Sequence, residues 1–415
     1  MGAPRRGKSF TDREPVQRDT GSDQAEREGQ GDRNRSRAHQ VRHGKYGGEP
    51  EKQSASSYVG NENVSSVRAG PKRPGNKGET MWVTRATKLL GTEFPIIGGA
   101  MQWISRAPFV AAVSNAGGLG IITSATFSSK KELKEEIRRT QDLTDRPFAV
   151  NINLFPSMRP MSVEDMIDAA GEEGVRIVET SGHNPAQYVE ALKNNGRIYM
   201  HKCAREHDAV KAEALGVDLV TIVGTECGGH PSAEGITTMV LLPRTVRSVS
   251  VPVVGGGGFC DGRGLMAALS LGAEGIVMGT ALMATEECPI HPNFKRALLE
   301  AEVSSTCLLL MSVKAPIRVF VNKPATEVLD MEVRCEPLEK MLPKMRGELG
   351  RQALETGELD AGIWACGQIA GLVKKIMPVR DFFQSVMEEA ESIRRQWGIV
   401  TQPEADSEPV KVSGA

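Results

Sequence analysis

Two scales of apolar and polar alternation divide this chain. From Phe94 onward, short β-branched runs recur: FPIIGGAM, GLGIIT from Gly118, PFAVNINL from Pro147, VRIVETSG from Val175, RIYMHKC from Arg197, DLVTIVGT from Asp218, VPVVGGGG from Val251 and EGIVMGT from Glu274. Between them lie amphipathic stretches such as SSKKELKEEIRR and NPAQYVEALKNN. Strand-length runs alternating with helix-period segments are the pattern of parallel strands joined by helical crossovers. Eight such runs within roughly two hundred residues predict a (β/α)8 TIM barrel over residues 81–292. An open doubly wound sheet would have fewer strands and an early glycine fingerprint, which is missing.

From about Pro289 no strand pattern persists and helical spacing takes over, as in FKRALLEAEV and RDFFQSVMEEAESIRRQWG. Residues 293–398 are therefore expected to form a helical appendage, a second small domain packing on the barrel and returning to its site. Within it, the glycine and tryptophan of GIWACGQIAGLVKKI suggest a loop folding back. The first 80 residues are rich in Arg, Gly, Ser, Glu and Gln with almost no Leu or Ile, so they are read as a disordered tail, and residues 399–415 likewise. Acidic residues in TDREPVQRDTGSDQAEREG argue against a transit peptide. Met81, where the globular pattern starts, is a candidate initiator.

Composition narrows the picture. With 40% hydrophobic and 25% charged residues, the 415-residue chain has the makeup of a globular protein able to bury a large core. A formal net charge of -1 gives no whole-chain electrostatic argument for nucleic acid or an anionic membrane. No apolar run approaches the roughly 18 residues that span a bilayer. The seven cysteines show no repeating framework, so reduced thiols in a cytoplasmic setting are expected.

Candidate chemistry gathers behind the strands. In a barrel the loops after strands seven and eight commonly hold a phosphate. Here they carry Gly255, Gly256, Gly257 and Gly258 on one strand and Gly279 with Thr280 on the other, about twenty residues apart; Asp261 is the expected N-cap of the helix that follows. Behind strand six comes TECGGHP, in which Gly228 and Gly229 let backbone approach a flat ligand and His230 offers a group that exchanges protons near neutral pH. Zinc drawn from Cys203, His207, Cys227 and His230 is disfavoured, because the spacing matches no standard site; no metal is expected. Cys227 lacks a deprotonating partner, so it and Glu226 are read as supporting groups.

Together the motifs PIIGGAMQW, NAGGLG, RPFAVNINLFP, HKC, ECGGHP, GGGFCDGRGLMAAL, LGAEGIVMGT, ECPIHP and GIWACGQIAGL, from Met81 to about Gly398, resemble the nitronate monooxygenase family, older name 2-nitropropane dioxygenase. These are FMN-dependent barrels that include an NADH:quinone reductase branch and are related to flavin-dependent enoyl reductases. The resemblance implies FMN contacts from Ala100, Met101, Gln102, Asn153, Lys202, Gly228, Gly256, Gly279 and Thr280, the last three around the phosphate, and makes His230 the catalytic residue. Lys202 would lie near the N1 and C2 carbonyl edge, where an ammonium stabilises the charge of a reduced flavin.

The implied activity is oxidation of alkyl nitronates with O2 to a carbonyl compound and nitrite. NAD(P)H:quinone reduction at the same site is the alternative, favoured by NLFPSMRP from Asn153 to Pro160. A purine nucleotide dehydrogenase would share the glycine loops but not GGH. Small-molecule partners, no nucleic acid or membrane, and a monomer or homodimer complete the expectation. The chain departs from the family pattern at Gly98, Gly99 and Ala100, at Gly255 and Gly256, at Asn153 where Thr is more usual, and at Ser232 with an additional Ala233 after the histidine.

Overall fold

The computed structural model describes residues 82–155 and 161–397; the tails expected over residues 1–80 and 399–415 lie outside them. Eight parallel strands form one sheet: β1 (Ile96–Gly98), β2 (Gly120–Thr123), β3 (Phe148–Asn153), β4 (Ile177–Ser181), β5 (Ile198–Cys203), β6 (Leu219–Val223), β7 (Val253–Gly256) and β8 (Ile276–Met278). They follow the order β1-β8-β7-β6-β5-β4-β3-β2. A parallel bridge between Ile97 and Leu119 joins the two edges, with Gly98 N donating to Leu119 O at 2.9 Å and Leu119 N to Ile96 O at 3.0 Å. Each strand falls inside one of the eight apolar runs, and the sheet is the expected TIM-type barrel.

Alternation along the strands sets what the barrel contains, because neighbouring residues point to opposite faces. One set, including Ile97, Leu119, Ile121, Ala149, Ile177, Met200, Leu219, Val254 and Val277, packs together as the apolar lumen. The other set, including Ile96, Ile122, Val150, Ile152, Val178, Val220, Ile222 and Ile276, packs outward in the larger core with helix residues such as Phe109, Leu133, Leu242 and Leu265. Two residues further along each strand the inward positions change character to Thr123, Asn151, Glu179, Lys202, Thr221 and Gly256. The lumen is thus apolar at its base and polar toward the C-terminal ends of the strands.

The appendage departs from the all-helical expectation. After the helix Pro292–Glu300 come β9 (Thr306–Leu309) and β10 (Ile317–Phe320), an antiparallel pair with Leu309 opposite Ile317 and Thr306 opposite Phe320. Each strand is only four residues long, too short to stand out against the surrounding helical spacing. Leu309 and Val319 form a separate small core with Ala325, Val328, Met331 and Met341. The loop carrying Trp364 does fold back: its indole stacks on Phe320 with ring centroids 4.4 Å apart and meets Phe294 edge-on at 4.9 Å. The final helix, Val379–Gln396, lies against the helix Gly262–Ser270, whose Gly262 N donates to Glu389 at 2.9 Å. No helix among the described residues is long and apolar enough to cross a membrane.

Candidate active site at the barrel mouth

The inward polar layer is held by buried charge. Glu179, with no exposed surface, accepts from Asn151 Nδ2 at 2.7 Å and from the Lys202 ammonium at 2.9 Å, both on Oε2. Its other oxygen and the hydroxyls of Thr123 and Thr221 have no partner among the described residues. Lys202 keeps 19% of its side chain exposed. The pair fixes the ammonium on the inward face at the C-terminal end of β5, 2.9 Å from a fully buried carboxylate. On the opposite face of the same strands, His201 Nδ1 lies 2.7 Å from the hydroxyl of Thr180, and burial pushes its pKa down to about 4.

TECGGHP is pinned at nearly every residue. Thr225 N donates to Ile236 O at 2.9 Å, and Cys227 N to Gly224 O at 3.1 Å. The Glu226 carboxylate accepts from Thr238 N at 2.9 Å and from its hydroxyl at 3.0 Å, anchoring the start of the helix Thr238–Ser248. A Cβ on Gly228 would lie 2.8 Å from Gly367 N and 2.9 Å from Cys366 C, so glycine is what lets the returning appendage loop sit on this one. Gly229, at φ +83°, exchanges backbone hydrogen bonds with Arg318 of β10 at 3.1 and 2.7 Å. Burial pushes the Cys227 thiol up to about 12, which leaves it without nucleophilic thiolate at neutral pH.

His230 emerges from this rigid loop. Its ring is solvent-exposed, but protein closes around it at longer range and holds its pKa below the ordinary histidine value. Phe155, just beyond β3, lies 5.3 Å away between ring centroids and 5.5 Å from His183. Asn153, at the end of β3, accepts from Phe155 N at 2.8 Å through Oδ1 and so fixes the backbone turn that carries that ring.

The glycine loop after β7 lies against the TECGGHP loop, where a Cβ on Gly257 would come within 3.0 Å of Cys227 N. The N–H groups of Gly257, Gly258, Gly279 and Thr280 donate to no acceptor among the described residues, so a phosphate reaching them would meet several donors. Gly257 and Gly258 take φ of +86° and +88°. A Cβ on Gly279 would lie 3.6 Å from Met101 Sδ, close to the sulfur of the loop after β1. These unused donors therefore fit a phosphate. Two sets of hydrogen bonds bear on how an anion could be held here. At the start of the helix Gly262–Ser270, Asp261 caps Gly264 N at 2.8 Å, as expected, and Glu389 takes Gly262 N at 2.9 Å, so these two N–H groups are committed. The Thr280 hydroxyl accepts from Gly367 N at 2.8 Å.

The remaining candidates are placed as follows. Ala100 lies against the apolar lumen, and Gln102, exposed, donates through Nε2 to Ala125 O at 3.2 Å. Gly256 faces inward, where a Cβ would strike Val277 Cγ1 and come within 2.8 Å of Val223 Cγ1, so its glycine is demanded by strand packing. Glu179, Asn151, Phe155 and Arg318 were missed. A signal existed for the first two: each stands two positions beyond an inward apolar residue, in runs otherwise fit for the core. No group of three or more His, Cys, Asp or Glu among the described residues is placed to hold a metal.

Comparison with known proteins agrees with this architecture. The nitronate monooxygenase family matches residues 83–389. The chain is 36% identical over 237 residues, 57% of its own length, to the (3aS,4S,5R,7aS)-5-hydroxy-7a-methyl-1-oxo-octahydro-1H-indene-4-carboxyl-CoA dehydrogenase of Rhodococcus jostii, spanning 65% of that protein. It is 31% identical over 354 residues to the probable nitronate monooxygenase of Staphylococcus saprophyticus, covering 75% of this chain and 98% of that one. FabK from Thermotoga maritima superposes with a TM-score of 0.71 and 34% identity, over 77% of this chain and 99% of FabK. The chain belongs to the nitronate monooxygenase family of oxidoreductases.

Proposed function

We propose that this enzyme binds FMN at the barrel mouth and oxidises alkyl nitronates with O2 to a carbonyl compound and nitrite. What supports the reading is three features at the C-terminal ends of the strands: the open N–H groups after β7 and β8, the Lys202 ammonium, and a neutral His230 on a fixed loop. FMN, when bound, supplies the electron acceptor. Gly257, Gly258, Gly279 and Thr280 would hold its phosphate, with Ala100, Met101, Asn153, Lys202 and Gly228 around the ring system. A neutral imidazole donates a hydrogen bond to a nitronate oxygen from one nitrogen, and it accepts the α proton when the neutral nitroalkane is offered instead.

A second reading has a specific observation behind it. The Rhodococcus relative, named for a CoA thioester dehydrogenase, is more similar per aligned residue than the staphylococcal one. The enolate of a thioester is, like a nitronate, a planar carbanion delocalised onto oxygen, so the same His230 and backbone donors serve both. The NAD(P)H:quinone reading rests on NLFPSMRP, of which residues 156–160 lie outside the described set.

Absorption bands near about 370 and about 450 nm in the purified protein test for flavin; their absence sinks every reading above. Anaerobic mixing with propionate 3-nitronate, with NADH, and with an acyl-CoA then separates the three. Fast flavin bleaching by the nitronate, with nitrite release on admitting O2, supports the lead reading, and bleaching only by one of the other two replaces it.

A further inference from the structure

Arg318 belongs to the appendage, yet its contacts run to the active-site loop. Its residue is 6% exposed. Nε donates to Thr225 O at 2.8 Å, and Nη1 to the Thr306 hydroxyl at 3.2 Å. The backbone of the same residue pairs with Gly229 on one side and accepts from Cys366 N at 3.4 Å on the other. Arg318 therefore grips the TECGGHP loop at both ends, one residue before His230 and near the exit from β6. No ion pair joins its guanidinium to a carboxylate among the described residues, and Glu226, close to it in the loop, is committed to Thr238. A buried guanidinium without a salt-bridge partner is costly to keep, so a role at this place is the economical explanation for it.

We infer that Arg318 is the positioning residue of His230: through the Thr225 carbonyl and the Gly229 bridge it sets where the imidazole stands relative to the substrate. The inference rests on the reading of His230 as the residue that faces substrate. The side chain acts at one remove, because nothing in the described structure brings it to His230 itself. Its rigid fork fixes two acceptors at once, Thr225 O and Thr306 Oγ1, which the point charge of a lysine does not reproduce.

The test uses the full-length flavin-loaded protein and the variants Arg318→Met, Arg318→Lys and His230→Ala. Arg318→Met is expected to keep its flavin spectrum and lose about 100-fold in kcat/KM, the scale of a misplacement of about 1 Å. The loss should fall mainly on kcat. The acid inflection of the rate profile should move up toward the ordinary histidine range as the protein packed around the ring loosens, and Arg318→Lys should recover part of both. Hydrogen exchange at the Gly229 amide should quicken in either variant. Unchanged exchange, kcat/KM and inflection overturn the inference; if Arg318→Met fails to fold, Arg318→Lys alone decides on the same three readouts. Quickened exchange together with a fully active His230→Ala leaves Arg318 as the loop's anchor and removes the functional reading instead.

Discussion

The Lys202 ammonium sits 2.9 Å from Glu179 Oε2 across neighbouring strands, and only the lysine of the two touches solvent. The register that pairs Ser181 with Lys202 and Glu179 with Met200 puts both charged groups on the inward face, in the layer where the lumen turns polar. Asn151 holds the same carboxylate oxygen from the other side. The pair is thus a buried ion pair with a supporting amide, and breaking it asymmetrically has different consequences for each partner.

Lys202→Met removes the cation and leaves a buried carboxylate with one amide donor. A loss of about 3–5 kcal/mol is expected, read as a lowered urea midpoint of the flavin-free protein. Glu179→Gln should cost less, because its lysine can turn to water. A Lys202→Met protein as stable as the parent contradicts the pairing.

His230→Ala is expected to retain flavin and lose most turnover with a neutral nitroalkane, for which a proton acceptor is needed. The acceptor is the unprotonated ring, so the rate falls as pH drops through the folded-state pKa. Burial holds that pKa below the ordinary 6.5. The acid limb of kcat/KM should therefore lie below pH 6.5; a limb at or above that value speaks against His230 as the group.

His201 gives a pH dependence of stability with a definite sign. Its folded-state pKa is lowered from 6.5 to about 4, chiefly by burial. Below pH 6.5 the unfolded chain takes up a proton that the folded one refuses, so stability declines from there and levels off below about pH 4. At about 1.36 kcal/mol per unit, the 6.5 to 4 interval amounts to about 3 kcal/mol. His201→Gln should flatten this slope when chemical denaturation is compared at several pH values; an equally steep slope assigns it elsewhere.

Gly228 and Gly229 separate packing from backbone strain. Gly228→Ala puts a methyl against Gly367 N and Cys366 C and should push residues 364–368 off the mouth, weakening flavin retention in a dialysis assay. A Cβ on Gly229 meets nothing within 4 Å, but its φ is +83°. Gly229→Ala should cost about 1–2 kcal/mol for the left-handed conformation, and flavin retention should be little changed. Equal retention by both variants would falsify the packing argument.

The sequence made the barrel legible because parallel strands leave continuous apolar runs at regular intervals, and all eight survive in the fold. Asp261 as a cap and the return of the Trp364 loop were legible for similar reasons, since each depends on residues close in sequence. What was hidden depends on residues far apart. Glu179 becomes a partner of Lys202 only through strand register, and Arg318 meets Gly229 only because β10 arrives beside a loop some ninety residues earlier. A four-residue strand with one arginine among Ile317, Val319 and Phe320 gives no local sign of this. The open N–H groups after β7 were foreseeable from four consecutive glycines, whereas the filling of the Gly262–Ser270 N-terminus by Glu389 was not.

The bridge from Gly229 to Arg318 also sets an order of events during synthesis. Strand β1 can find β8 once Met278 has been made, and the barrel can then close. The loop before His230 gains its remaining hydrogen bonds only when Arg318 and then Gln368, which donates to Glu226 O at 3.0 Å, have left the ribosome. Domains form progressively as the chain emerges, so the scaffold precedes its own working surface. A chain ended between Met278 and Gln368 would carry all eight strands yet lack the Gln368 contact, and before Arg318 both contacts, to the loop ahead of His230.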